Sequence, residues 1–389
     1  MLNPGSILAS APLLTAVSQG RPMPGRLDVV AVVLVASAAL CVPTAVAEGV
    51  CASVGPPEVT GTVANPDLTE ISGLAASPAH PGVLWTHNDS GGAPELFAMA
   101  EDGADLGAFW VDGAEATDWE DLAIGPGSDP SASYLYAADI GDNNAVRDPV
   151  TVYRVAEPAA APKDGGILTG TATFQLHYPG GPADAEALLV DPVTGDLVVV
   201  TKTYVGTARI LRAPAASLDD GATVTMTDEG TITLTPPAGS RATAPGMAVT
   251  GGDISSDGAL IVLRTYQTVL AFVRADGQSV ADALRGEPCS APQLVEPEGE
   301  AIAIAADGSA YFTASEGSGV PIARASIDVP AKTTTTATTP TTTNRDPAQG
   351  GDEDDTLISL VVGAAVVALG VGVSLVVWAR RRRSASAPG

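Results

Sequence analysis

Four glutamates, Glu70, Glu120, Glu186 and Glu300, stand at or near the start of short apolar runs that recur along the chain, and Asp253 holds the comparable place in a fifth run. Carboxylates brought close together repel, so such a group is stable only when some protonate, hydrate or share a cation. An all-oxygen ligand set suits Ca2+ better than a transition metal. A second set of polar residues ends the runs that follow: His87, Asn88 and Asp89; Asp139 with Asp142 and Asn143; Lys202; Arg264; and Glu316. Two bases among several acids suggest a ligand site. Lys202 and Arg264 are suited to hold a carboxylate or phosphate, while Asp89, Asp139 and Glu316 are suited to hold a metal or accept a proton. The ligand-binding candidates are therefore His87, Asp89, Lys202, Arg264 and Glu316, and the catalytic candidates are Glu120, Lys202 and Arg264. The competing role is structural, because Asp and Asn at strand ends cap turns. Residues 139–148 (DIGDNNAVRD) alternate oxygen donors but lack the final Glu of an EF-hand loop.

The elements that must position these residues repeat. The copies read EISGLAASP…GVLWTHNDSGG, DWEDLAIGPG…SYLYAADIGDN, DAEALLVDPVTGDLVVVTKT, GGDISSDGALIVLRTY and GEAIAIAADGSAYFTASEG. Each is two apolar strands joined by a short break, and copies recur roughly every 45 to 70 residues, the pattern of propeller blades. Two further alternating stretches complete most copies, from ELFAMAEDG and DLGAFWVDG in the first to TVLAFVRADG and PQLVEP in the fourth. The last copy has only PIARASIDV as a third strand, so the N-terminal stretch EVTGTVAN (58–65) is expected to supply its fourth and cover the open sheet edge. This predicts an all-β fold, a β-propeller of five blades, with six as the alternative if 236–251 hides more sheet. SVADAL (279–284) reads as one helical turn. In a propeller the innermost strands line the axis, so the recurring glutamates become a ring.

The ends of the chain read differently. Arg26 precedes the apolar run Val29–Val42, and Ala45-Val46-Ala47 offers a signal-peptidase site, so residues 1–47 are expected to be a cleaved leader, with Met23 an alternative start. Residues 48–330 form the propeller. Residues 331–355, with a Thr/Pro block and the acidic run Asp352–Asp355, cannot bury a core and read as a stalk. Residues 356–379 carry no charge over a length that spans a bilayer, and Arg380–Arg383 begin a tail (380–389) expected to stay in the cytoplasm. The expected localisation is a single-pass plasma-membrane protein with its ectodomain outside.

The chain has 45 acidic and 19 basic residues, a net charge of −26. That balance argues against nucleic-acid partners, which need a basic surface. Once Cys41 leaves with the leader, Cys51 and Cys289 remain as an even pair in an oxidising compartment and are expected to form one disulfide.

The phrases DWEDLA, DIGDN, DAEALLVDP and GEAIAIAADG resemble a family of secreted bacterial propeller proteins of largely unknown function. More loosely they are similar to phytase-like (esterase-like) domains and to the gluconolactonase and strictosidine-synthase propellers. That resemblance implies a divalent metal held by a Glu opening an inner strand with Asn and Asp from other blades. Carried onto this chain, together with the glutamate ring, it gives Glu70, Asn88, Glu120, Asp139, Glu186 and Glu300 as metal candidates, with Ca2+ as the cofactor. Phytases surround inositol phosphate with many bases, whereas this chain offers mainly Lys202 and Arg264. Two functions stay open: a cell-surface binding or scaffold module for an unknown extracellular ligand or protein, or a metal-dependent hydrolase of a small ester, lactone or phosphate. The absence of a nucleophile elbow, a cysteine nucleophile or a phosphate loop weighs against the second.

Overall fold

A computed structural model describes residues 50–296 and 299–328. The stretches read as leader, stalk, span and tail lie outside these residues. Among the described residues no helix is long and apolar enough to cross a membrane.

The chain begins with β1 (Glu58–Thr62), whose partner comes last in sequence. The first blade is β2 (Ile71–Ala76), β3 (Val83–Asn88), β4 (Glu95–Ala100) and β5 (Asp105–Val111). The second opens with β6 (Trp119–Gly125), β7 (Tyr134–Asp139) and β8 (Val150–Ala156). Next, β9 (Gly166–Leu168) crosses back to lie parallel to β5, and β10 (Ala172–His177) completes the second blade. The third blade runs β11 (Ala185–Val190), β12 (Leu197–Thr201) and β13 (Thr207–Ala213). Here β14 (Thr223–Thr225) leaves to pair in parallel with β10, and β15 (Thr227–Thr233) closes the blade. The fourth comprises β16 (Val249–Ile254), β17 (Leu260–Thr265), β18 (Val269–Val273) and β19 (Cys289–Ala291). Between the last two lies the short helix α1 (Val280–Leu284), capped by the Ser279 side chain on the Asp282 N–H. The fifth blade is β20 (Gly299–Ile304), β21 (Ala310–Ser315) and β22 (Pro321–Ser326), with β1 as its outer strand.

The sheets make a five-bladed propeller closed by joining the start of the chain to its end. β1 pairs antiparallel with β22, as expected from EVTGTVAN. The six-bladed alternative fails, because the segment before β16 holds a 3-10 turn at Pro245–Met247 and no strand. Two strand expectations need correction. The fourth strand of blade four is β19 and not PQLVEP, whose Pro292 has no N–H for the ladder. TVTMTDEGTITL is split at Met226, with its first part lent to blade two.

Packing explains the continuous apolar runs. Each blade is covered on both faces by its neighbours, so strands such as LVVVT in β12 are buried throughout. Five apolar clusters fill the gaps, one between each adjacent pair of blades; Trp85, Phe109 and Trp119, for example, pack between blades one and two. Cys51 and Cys289 form the expected disulfide, tying the N-terminal segment to β19 across a separation of 238 residues. In the chain-entropy account, a link closing so long a loop removes unfolded-state entropy equivalent to about 5.5 kcal/mol.

The axis is narrow. At one level the five inner strands present Gly73, Asp121, Ala187, Gly251 and Ala301, matched by their pairing to the second strands. A Cβ on Gly73 would stand 2.3 Å from the Leu122 nitrogen. Asp121 alone carries a long side chain there, and its carboxylate accepts from the N–H groups of Leu122 (2.9 Å), Leu188 (2.8 Å) and Gly252 (3.2 Å). It therefore joins blades two, three and four at the centre. We predict that Asp121→Ala, which strands three buried N–H groups, costs at least about 3 kcal/mol. Chemical denaturation checks this; a loss below about 1 kcal/mol would mean that the strands hold the axis without it.

Candidate functional site

Every inner strand shifts register just after its first paired residue. Such an extra residue re-aims its side chain. Aligned on that shift, the equivalent residues are Ser72, Glu120, Glu186, Thr250 and Glu300. The ring of like residues thus exists, but with three glutamates and two hydroxyls. Glu70 does not belong to it; it is exposed and lies two residues earlier, at the level of Asp118 and Asp184. Asp253 does not belong either. It sits three residues further along its strand than Thr250, where its carboxylate accepts from the Ile254 and Ile304 N–H groups. The hydroxyls stitch neighbouring blades: Ser72 donates to the Glu120 carbonyl at 2.5 Å and Thr250 to the Gly299 carbonyl at 2.8 Å.

Around this ring the second strands end in Asp89, Ile140, Lys202, Tyr266 and Glu316, each one residue past the last pair. These residues and the three glutamates share one end of the axis. Two groups of three carboxylates there offer oxygens lying within 4.8 Å of one another: Asp89, Asp118 and Glu120, and Glu120, Asp184 and Glu186. Lys202 lies among them, and the Arg147 charge acts on Asp118. Lys202 donates to the Glu186 carboxylate, and its ammonium lies 5.0 Å from the Tyr266 ring centre and 5.8 Å from that of Tyr204. Gly141 roofs the first group, and a Cβ there would stand 2.2 Å from Glu120 Oε1 and 2.5 Å from Asp118 Oδ2.

Burial and crowding disfavour charge. Burial, with Glu186, Asp89 and Asp118 close by, drives the Glu120 carboxyl far above the ordinary range. Burial also lifts Glu186, against the pull of Lys202. Glu300 is pushed up to about 9 by burial and then by Glu186. Asp89 rises to about 7 through burial, Asp118 and Glu316. Burial pulls the Lys202 ammonium down, but Glu186 outweighs it and keeps the lysine protonated.

Other expected site residues are committed elsewhere. The Asn88 carboxamide accepts from the Thr69 and Glu70 N–H groups and donates to the Asp67 carbonyl, so it caps a turn. Asp139 accepts from the N–H groups of Thr117 and Asp118 and forms an ion pair with Arg147 at 2.6 Å. Asp142 accepts from the Val146 and Arg147 N–H groups. The DIGDNNAVRD stretch is thus a turn braced by its own carboxylates. His87 is fully buried, packs edge-on against Trp119 and is held neutral by burial, which lowers it to about 4. Arg264 falls at the level of His87, not at the rim, and it lies buried beneath Gly299 in an ion pair with Glu296. Tyr266 occupies the rim place expected for it. Sequence reading missed Asp118, Asp184 and Tyr266. The signal for the first two was present, since both precede a ring glutamate in the phrase Asp-x-Glu.

No family model matches the chain, and no curated protein matches it. Solved structures do match, among them the WD40 repeats of RRP9, with a TM-score of 0.36 and 10% identity over 72% of this chain and 98% of that one. At that identity nothing about activity passes between the two.

A carboxyl whose folded pKa is raised binds its proton more tightly when folded, so its contribution to stability is present at low pH and lost as pH rises through the folded value. With Glu300 moving from 4.5 to about 9 and Asp89 from 3.8 to about 7, the chelated protein is predicted to lose stability steadily between about pH 5 and 9. Thermal melts across that range check this. A melting temperature that climbs toward pH 9 would contradict the carboxyl crowding.

Proposed function

We propose that the chain is a divalent-cation-binding propeller module, displayed outside the cell on a stalk, whose acidic mouth takes an extracellular ligand. The observation that carries this is the crowding of Asp89, Asp118, Glu120, Asp184 and Glu186 at one end of the axis around a single lysine. Removing ions from that position leaves carboxylates that must protonate, whereas a shared cation lets them ionise. Hard oxygen donors favour Ca2+ or Mg2+ over softer metals. The extracellular setting rests on the leader, stalk and span read in the sequence and on the disulfide. The last described residue, Asp328, lies past the end of β22 remote from the carboxylates.

A second reading, a metal-dependent hydrolase, draws on Lys202, a permanent cation beside the carboxylates. There a bound metal would polarise an ester or phosphoryl oxygen and Lys202 would steady its negative charge. The phytase-like resemblance supports only this reading, and Arg264, buried and paired, adds nothing to it.

Calorimetric titration of the purified full chain with CaCl2 tests the proposal. Binding is expected, together with a melting temperature that rises with Ca2+ and falls with chelator, and Glu120→Gln is expected to weaken binding at least tenfold. No heat and no shift with Ca2+, Mg2+ or Mn2+ would overturn it. Release of nitrophenol from its acetate or phosphate ester, lost in Lys202→Ala with the fold intact, would favour the hydrolase.

A further inference from the structure

The mouth holds two groups of carboxylates, not one. Asp89, Asp118 and Glu120 form the first, Glu120, Asp184 and Glu186 the second, and only Glu120 belongs to both. Oxygens on opposite sides of one Ca2+ stand roughly 4.6 to 5.2 Å apart, so each group is of a size to surround one ion. Among the described residues no single group of that size contains all five. One cation placed in either half would leave the acids of the other half uncompensated.

The second half shows a further sign of a missing partner. The Glu186 side chain is only 4% exposed, and its two oxygens differ. Oε1 accepts from Lys202, while Oε2 is buried with no hydrogen-bond partner. In the first half, Asp89 Oδ1 is likewise buried and unpartnered. A buried acceptor without a donor is destabilising, more so when charged, and a coordinated cation removes that cost. Each half thus has its own unsatisfied oxygen.

Resting on the cation-binding reading above, we propose that the mouth binds two divalent cations, bridged by the Glu120 carboxylate. One sits among Asp89, Asp118 and Glu120, the other among Glu120, Asp184 and Glu186. Lys202 offsets part of the second through Glu186, and Arg147 offsets part of the first through Asp118. Asp89 and Asp118 belong to the first half alone, Asp184 and Glu186 to the second.

Mn2+ tests the stoichiometry and the bridge together. The full chain is titrated with MnCl2 by calorimetry, and the loaded protein is examined by low-temperature electron paramagnetic resonance. Two equivalents are expected, with the spectrum of an exchange-coupled pair in place of the isolated six-line signal. Asp89→Asn is expected to lose the equivalent of the first half and Asp184→Asn that of the second, each leaving one uncoupled ion; near-ultraviolet circular dichroism checks that the variants fold. One equivalent with an isolated signal in the unaltered protein would overturn the pair while sparing the cation-binding reading. Two uncoupled equivalents would overturn the bridge. No binding would remove both.

Discussion

Five strands converge on an axis with no room for side chains, and the rest of the structure follows from that. Gly73, Ala187, Gly251 and Ala301 are small because their neighbours are backbone; the Gly73 position, for instance, is walled by the Leu122 nitrogen and the His87 ring. With four places kept small, one longer side chain can occupy the centre. Asp121 does so, and its carboxylate takes N–H groups that the converging strands would otherwise bury unpaired. Burial drives its pKa well above the usual range, and the donors from Leu188, Leu122 and Gly252 oppose that rise.

The same narrowness creates the mouth. An inner strand cannot continue its regular pleat to the end of the channel without pressing a side chain into the axis. Each therefore shifts register one step before it, at Ser72, Glu120, Glu186, Thr250 and Glu300. Where the shifted residue is Ser or Thr, it binds the neighbouring backbone and closes the gap between blades. Where it is Glu, the side chain is too long for that role and joins its charge to those of the rim. The acidity is thus concentrated on blades two, three and five, and Lys202 enters from blade three to offset part of it.

Much of this was legible in the sequence, for identifiable reasons. A repeat of apolar runs with Asp-Gly and Gly-Gly breaks is a local signal, so the five blades, the closing strand β1 and the helical turn could be read directly. The Cys51–Cys289 link followed from counting two cysteines. Residue-level equivalence between blades was harder. The phrases EIS, DWED, DAEA, GGD and GEA invite alignment on their acids, which puts Glu70 and Asp253 in the ring. The correct alignment depends on which inner residue faces which residue of the second strand, and a one-residue bulge is invisible in composition. Arg264 misled in the same way. Only the register shows that it faces into the sheet stack with Glu296 while Tyr266 takes the rim.

Asp139, Asp142 and Asn88 show why donor-rich sequence alone cannot identify a metal site. All three have the right oxygens near the right mouth, yet each carboxylate or amide already accepts from two backbone N–H groups. A side chain that accepts two such bonds has little left for a cation. Glu186 and Asp89 differ because each keeps a buried oxygen with no donor. The distinction is between acids whose charge the fold has spent on backbone N–H groups, Asp121 at the axis among them, and acids such as Glu186 and Asp89 that keep an uncompensated oxygen at the mouth.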